Sequence, residues 1–182
     1  SRTPAIRRTR SSKRKKGRKI ALGVTGGIAA YKACELASRL KKRGADVRVV
    51  MTEAATRFVA PLTFESLTGN RVELDMFSRP WEMGHISLAK FAELFVVAPA
   101  TADIIGKFAC GIADDMLSTA LMAATCPVLL APAMNGGMWK SAAVQANIQT
   151  LASRGIPMIG PGRGRLACGD DDIGRMVEPA EI

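Results

Sequence analysis

Lys19 to Met51 reads KIALGVTGGIAAYKACELASRLKKRGADVRVVM, and it decides the fold. The apolar run Lys19 to Val24 predicts a short buried strand. Thr25-Gly26-Gly27 predicts a tight turn, and Ile28 to Arg43 predicts a helix ending on basic residues followed by Gly44, as the helix dipole and C-cap preferences favour. A second strand, Val47 to Met51, begins within a few residues. Strand, glycine-rich turn, helix and strand make a βαβ unit, whose first turn points backbone N–H groups at a phosphate or an aromatic ring edge. The pattern G-x-x-G-G is not the G-x-G-x-x-G fingerprint, so a mononucleotide fits better than a dinucleotide. A glycine pair that serves only the turn is also compatible with these residues.

The same logic extends along the chain. Thr52, directly after the second strand and before Glu53, is a helix N-cap at a strand's carboxyl end. Capping accounts for it, and the position also puts its hydroxyl within reach of a ligand. Pro61 to Leu67 predicts a short helix closed near Gly69, Val72 to Leu74 a brief strand, and Phe77 to Met83 a loop. Leu94 to Ala98 is a strongly apolar strand running into Pro99-Ala100-Thr101-Ala102-Asp103. Val128 to Leu130 is another, stopping at Ala131-Pro132, where proline removes a ladder donor. Strand, Ala-Pro-Ala and a following loop thus occur twice, so two parallel strands deliver two loops to one crevice.

Helices are predicted at Ile104 to Ala109, at Met116 to Ala124 with Asp114-Asp115 at its start, and from Lys140 to Leu151. In the second loop Asn135 stands beside Gly136-Gly137, with Met138-Trp139 opening a helical pattern. A last strand, Pro157 to Ile159, precedes the glycine-rich run Gly160 to Gly169, read as a mobile flap carrying Cys168. A plain connecting segment explains the same letters. The sole histidine, His85, lies in Gly84-His85-Ile86, and spacing alone does not separate a catalytic histidine from a structural one.

At 182 residues and 48% hydrophobic composition, the chain has material for one complete domain. Its formal charge of +10 is local. Residues 1–20 hold ten Lys or Arg and no acid, which leaves 16 basic residues against 16 acidic ones. The arm at 1–18 has no aromatic residue to stack on bases and no apolar face, which argues against a nucleic-acid site and for a solvated tail. No apolar run approaches the roughly 20 residues of a membrane span, so the expectation is a cytoplasmic chain without a membrane partner. Cys34, Cys110, Cys126 and Cys168 contain no C-x-x-C pair, and with one histidine neither a metal site nor a disulfide framework is supported.

Five segments, taken together and in order, resemble the homo-oligomeric flavin-containing cysteine decarboxylases. They are Thr25-Gly26-Gly27-Ile28-Ala29-Ala30-Tyr31-Lys32, Gly84-His85-Ile86, Pro99-Ala100-Thr101-Ala102-Asp103, Pro132-Ala133-Met134-Asn135-Gly136-Gly137-Met138-Trp139 and Ala167-Cys168-Gly169. The resemblance runs from about Lys19 to Ile182. It implies a single α/β domain over 19–182, flavodoxin-like, with an open parallel sheet, helices on both faces and a flexible substrate flap around 160–175. It also implies FMN as cofactor, a homotrimer or a dodecamer of trimers with active sites at subunit contacts, and a fused or separate ligase domain as partner.

Carried over by position, the resemblance implies that Gly26, Gly27, Ile28, Thr52, Thr101, Ala102, Asp103 and Ala133 hold the flavin. His85 is implied as the base, Asn135 and Met138 as substrate contacts, and Cys168 as the final proton donor. Many members have Asn where this chain has Asp103, and a carboxylate cannot donate as an amide does. The branch implied acts on 4′-phosphopantothenoylcysteine in coenzyme A synthesis. Relatives that decarboxylate a peptide C-terminal cysteine need no proton-donating cysteine on the flap. Non-catalytic, flavin-binding regulatory subunits form a third branch.

Overall fold

A computed structural model describes residues 17–77, 84–169 and 171–182. The basic arm falls almost wholly outside these residues, as does 78–83 of the loop expected between Phe77 and Met83.

The main sheet holds β1 (Lys19–Val24), β2 (Asp46–Met51), β3 (Leu94–Ala100) and β4 (Val128–Pro132) in the order β2-β1-β3-β4, all parallel. Single-residue parallel bridges extend it at both edges, Val50 to Glu73 and Leu130 to Met158. The two brief strands expected there are reduced to these bridges. Pro157 has no N–H with which to extend its ladder, and Gly160-Pro161 turns the chain away just beyond.

Because strand side chains alternate, each strand supplies two cores. Leu22, Val24, Val47, Val49, Met51, Val96 and Ala98 face α1 (Ala30–Lys42) and the Phe64 ring of α3 (Pro61–Thr68). Ala21, Val50, Phe95, Val97 and Leu130 face the opposite layer. That layer is built from α4 (Gly84–Phe91), α5 (Ala102–Cys110), α6 (Met116–Ala123) and α8 (Ala142–Ser153). This is the doubly wound, flavodoxin-like arrangement with helices on both faces. Among the described residues, no helix is long and apolar enough to cross a membrane.

Three local features depart from expectation. β4 continues two residues beyond Leu130, because Pro132 pairs with Ala100 and the next donor, Ala133 N–H, reaches the Ala100 carbonyl at 3.0 Å; the missing proline donor is stepped over. The Gly136-Gly137 pair is not a loop but the first turn of α7 (Gly136–Lys140), and neither glycine has positive φ. Gly136 is required by proximity instead, since a Cβ there would run into Asp172 and the Ile173 carbonyl. The glycine-rich flap is in part ordered as an antiparallel ribbon, β5 (Gly162–Arg165) with β6 (Asp171–Arg175). Gly164 at φ 152° and Gly174 at φ 137° take backbone angles that side chains disfavour, which lets the ribbon bend onto the domain.

Candidate active site

The carboxyl ends of β1, β2, β3 and β4 open into one cleft of about 1520 Å³, roofed on one side by the ribbon. Gly26, Gly27 and Ile28 from the β1 turn line it, with Thr52 from the end of β2. Thr101, Ala102 and Asp103 enter from the end of β3, Ala133, Asn135 and Met138 from the end of β4, and Cys168 from the ribbon turn. Eleven of the twelve residues singled out from sequence therefore meet in one place. His85 does not line this cleft. It sits in the first turn of α4, and its Nδ1, closed off from solvent, has no hydrogen-bond partner among the described residues.

The cleft floor is held by one hydroxyl that the sequence did not mark as special. Thr25 is 1% exposed; its Oγ1 donates to the Pro99 carbonyl at 2.5 Å and accepts from Thr101 N–H at 3.2 Å. The β1 and β3 loops are thereby tied together. Gly26 packs so closely on Ala54 that a Cβ would collide with it, which brings the β1 turn down against α2 (Glu53–Thr56). Thr52 caps α2, accepting from Ala55 N–H at 3.2 Å, so its hydroxyl proton stays available to a ligand.

Asn135 has its orientation fixed by the helix it caps. Its Oδ1 accepts from Gly137 N–H at 2.7 Å and Met138 N–H at 3.4 Å, which turns the amide NH2 outward to the Cys168 Sγ at 3.8 Å. The amide is therefore a donor toward the cleft, suited to an anionic or carbonyl group. Asp103 pairs with Lys107 at 3.2 Å, and Lys107 reaches Asp114 at 3.1 Å. Burial opposes the charge on Lys107, yet its hydrogen bonds to Asp114 and Asp103 outweigh that and raise its pKa. The Lys107 hydrogen bond in turn holds the Asp114 carboxyl below its usual range.

Lys32 was also unmarked by sequence reasoning. It lies on the cleft wall with only 8% of its side chain exposed, donating to the Met176 carbonyl at 3.2 Å and to Glu178 at 2.9 Å. The signal was there: Ala29, Lys32, Ala33 and Leu36 follow helical spacing, and a lysine on an apolar stripe requires a partner. No cluster of three metal-ligating side chains occurs among the described residues.

The Flavoprotein family model matches residues 8–182. The chain belongs to the Flavoprotein family. This flavoprotein is 51% identical over 168 residues to the coenzyme A biosynthesis bifunctional protein CoaBC of Escherichia coli strain K12, covering 91% of the present chain and 41% of the relative. The chain spans about two fifths of the length of the curated relatives it matches. Among solved structures, its fold superposes with a TM-score of 0.80 on a cysteine-to-serine mutant of PPC decarboxylase complexed with pantothenoylaminoethenethiol. The two are 30% identical, with 91% of this chain and 93% of that one covered. The FMN binding protein AtHal3 superposes with a TM-score of 0.77 at 31% identity, covering 92% of each chain. The parallel sheet and two helical layers of the flavoprotein are thus the fold of these proteins.

Proposed function

We propose that this chain is an FMN-dependent carboxy-lyase that converts 4′-phosphopantothenoylcysteine to 4′-phosphopantetheine and CO2 in coenzyme A synthesis. The observation that carries the reading is the meeting of Cys168 and Asn135 at 3.8 Å across the cleft mouth, a thiol brought to an outward-facing amide. Likeness to CoaBC and PPC decarboxylase supports the substrate. The residues fit a flavin. Ile28, 59% exposed, and Phe77, 80% exposed, leave apolar surface in the open at the cleft for a planar ring, while Thr52 and Thr101 supply hydroxyls at the strand ends. Thr101 stands at the N-cap of α5 without using its side chain to cap it.

A cysteine carboxylate that loses CO2 leaves an electron pair with no sink unless the adjacent CH2–SH is first oxidised to C=S. FMN, when bound, supplies the reversible two-electron oxidation that this requires. The chain's own groups do the rest. Gly26, Gly27, Ile28, Thr52, Thr101, Ala102, Asp103 and Ala133 hold the cofactor. The Asn135 amide donates to the substrate carboxylate and Met138 packs on the substrate. Cys168 gives a proton to carbon to complete the saturated product, and His85 assists removal of the thiol proton. His85 lies off its own cleft, so this assignment has it serve the cleft of a neighbouring copy in a homotrimer or dodecamer. A coupled ligase domain, fused or separate, is the partner, a reading that the word bifunctional in the relatives' name supports; the compartment in this reading is the cytoplasm.

The test is incubation of purified, FMN-loaded protein with phosphopantothenoylcysteine and mass spectrometry of the product. Loss of CO2 alone is expected. Loss of CO2 with two further hydrogens would assign the peptide-type oxidative reaction instead, and no loss of CO2 would refute the proposal.

A further inference from the structure

The described residues in the outer half of the ribbon that carries Cys168 belong to neither hydrophobic core, so directed contacts matter to its position. Several such contacts among the described residues lead to α7 or to the residue before its cap. Gly174 accepts a hydrogen bond from Met134 N–H at 2.9 Å, just before the Asn135 cap. Asp172 lies over the first turn of the helix and is clasped there by Lys140 from its last position, whose ammonium donates to both carboxylate oxygens at 2.9 and 2.8 Å. Its Oδ1 also accepts from Ile173 N–H at 2.8 Å, which fixes the carboxylate relative to its own strand. Gly136 leaves no room for a Cβ beneath Asp172, so β6 lies directly on the first turn of α7. A five-residue helix therefore presents Asn135 at its N-cap and, through the Lys140 side chain, holds the ribbon over that same turn.

We propose that Lys140 and Asp172 form a positioning pair that seats Cys168 against Asn135, and so decides how much of the product leaves saturated. The inference rests on the decarboxylase reading above. Neither residue touches the reacting atoms. Asp172 stands four positions after Cys168 in the sequence, so the pair acts on where Cys168 sits, and the Cys168 proton must reach carbon before the unsaturated product departs. A misplacement of about 1 Å is enough to slow such a transfer strongly. Lys140 is exposed and Asp172 partly so, which keeps the pair weak as a contributor to stability but sufficient to bias the ribbon between seated and unseated positions. A weak clasp also suits an element that has to move aside for substrate.

The experiment compares FMN-loaded wild type, Lys140→Met, Asp172→Asn, Lys140→Arg and the exchanged pair Lys140→Asp with Asp172→Lys. Two readouts are taken: the enethiol share of product with phosphopantothenoylcysteine, and the rate of Cys168 alkylation by iodoacetamide, resolved from the other cysteines by peptide mass spectrometry. Lys140→Met and Asp172→Asn are expected to raise both by roughly two- to fivefold. CO2 release in a single turnover and FMN content should be unchanged, each enethiol released leaving its flavin reduced until dioxygen in the aerobic buffer reoxidises it. Lys140→Arg and the exchanged pair are expected to return both readouts toward wild type. Added salt should mimic the variants in wild type and have little effect in Asp172→Asn. Wild-type alkylation rates in both single variants would overturn the positioning role. If the wild-type protein released no CO2, the decarboxylase reading would fail while the alkylation result still reported on the clasp.

Discussion

Replacing Thr25 by Val tests the floor of the cleft, because it removes a hydroxyl while nearly preserving shape. In the native structure that oxygen serves two backbone groups, the Pro99 carbonyl and Thr101 N–H, at a site closed to water. A buried polar group left without a partner costs about 1–3 kcal/mol, so two at once, with some relaxation, are expected to cost about 2–4 kcal/mol. For a chain of this length that lowers the melting midpoint by about 5–12 °C. Denaturant unfolding measures the loss, at fixed protein concentration because assembly shifts the apparent stability. Thr25→Ser keeps the hydroxyl and sacrifices one methyl, so its expected cost is only about 1 kcal/mol. The damage is local to the loop bearing Thr101 to Asp103, so FMN affinity should fall as well, about tenfold for each 1.4 kcal/mol of loop ordering that binding must supply. A Thr25→Val chain within about 0.5 kcal/mol of wild type, with unchanged FMN affinity, would show that the hydroxyl does not hold the two loops together.

Other outcomes follow from the same geometry. Cys168→Ser should release CO2 undiminished in a single turnover but yield unsaturated product, read by mass spectrometry, with the flavin left reduced until dioxygen reoxidises it. Gly26→Ala places a methyl group against Ala54 and should cost about 1–3 kcal/mol by overpacking, with weakened FMN binding in a fluorescence titration. His85→Asn should keep bound yellow flavin and lose turnover; co-assembly with inactive Asn135→Ala subunits should restore part of the activity if histidine and amide come from different copies. The hydrogen bond from Lys32 holds the Glu178 carboxyl below its usual range, so its contribution is complete above ordinary carboxylate values and is lost as pH falls through the lowered one. Hydrogen-exchange protection around Met176, measured against the intrinsic rate at each pH, should therefore fall in acid below the ordinary carboxylate range, and Glu178→Gln should show that lower protection at neutral pH without the acid step.

What was legible in the sequence was legible for periodic reasons. Leu22, Val49 and Val96 alternate with residues facing the other layer, and each strand ends at a polar or proline residue, so the sheet and the site of the crevice could be read from the chain. Contacts between distant segments could not. Nothing local to Gly136 announces that Asp172 will lie over it, and a glycine pair after a strand is equally well explained by a turn. Lys32 was readable as an anomaly on an apolar face, but its partner lies 146 residues away. Thr25 could be read only as part of the turn Thr25-Gly26-Gly27, because the two groups its hydroxyl satisfies belong to another loop. His85 shows a different limit: if its function is exercised in a neighbouring copy, the geometry of one subunit cannot display it.

Asp103 marks the point where the cleft chemistry of this chain is most particular. A carboxylate beside a flavin that is being reduced would oppose the negative charge gathering there, whereas an amide would not. The structure moderates the effect within one helical turn, since Lys107 lies four residues on and is shared with Asp114. Two carboxylates against one ammonium still leave one net negative charge, but the ion pair turns an Asp103 oxygen toward the lysine. Lys107→Met would remove that screen, and the expected result is weaker FMN binding and a lower flavin reduction potential. Asp103→Asn in the same background should reverse both, because it removes the charge that the lysine compensates. A potential unchanged by Lys107→Met would mean that the Asp103 charge is screened by solvent and that the ion pair serves only to hold α5 to the loop before α6.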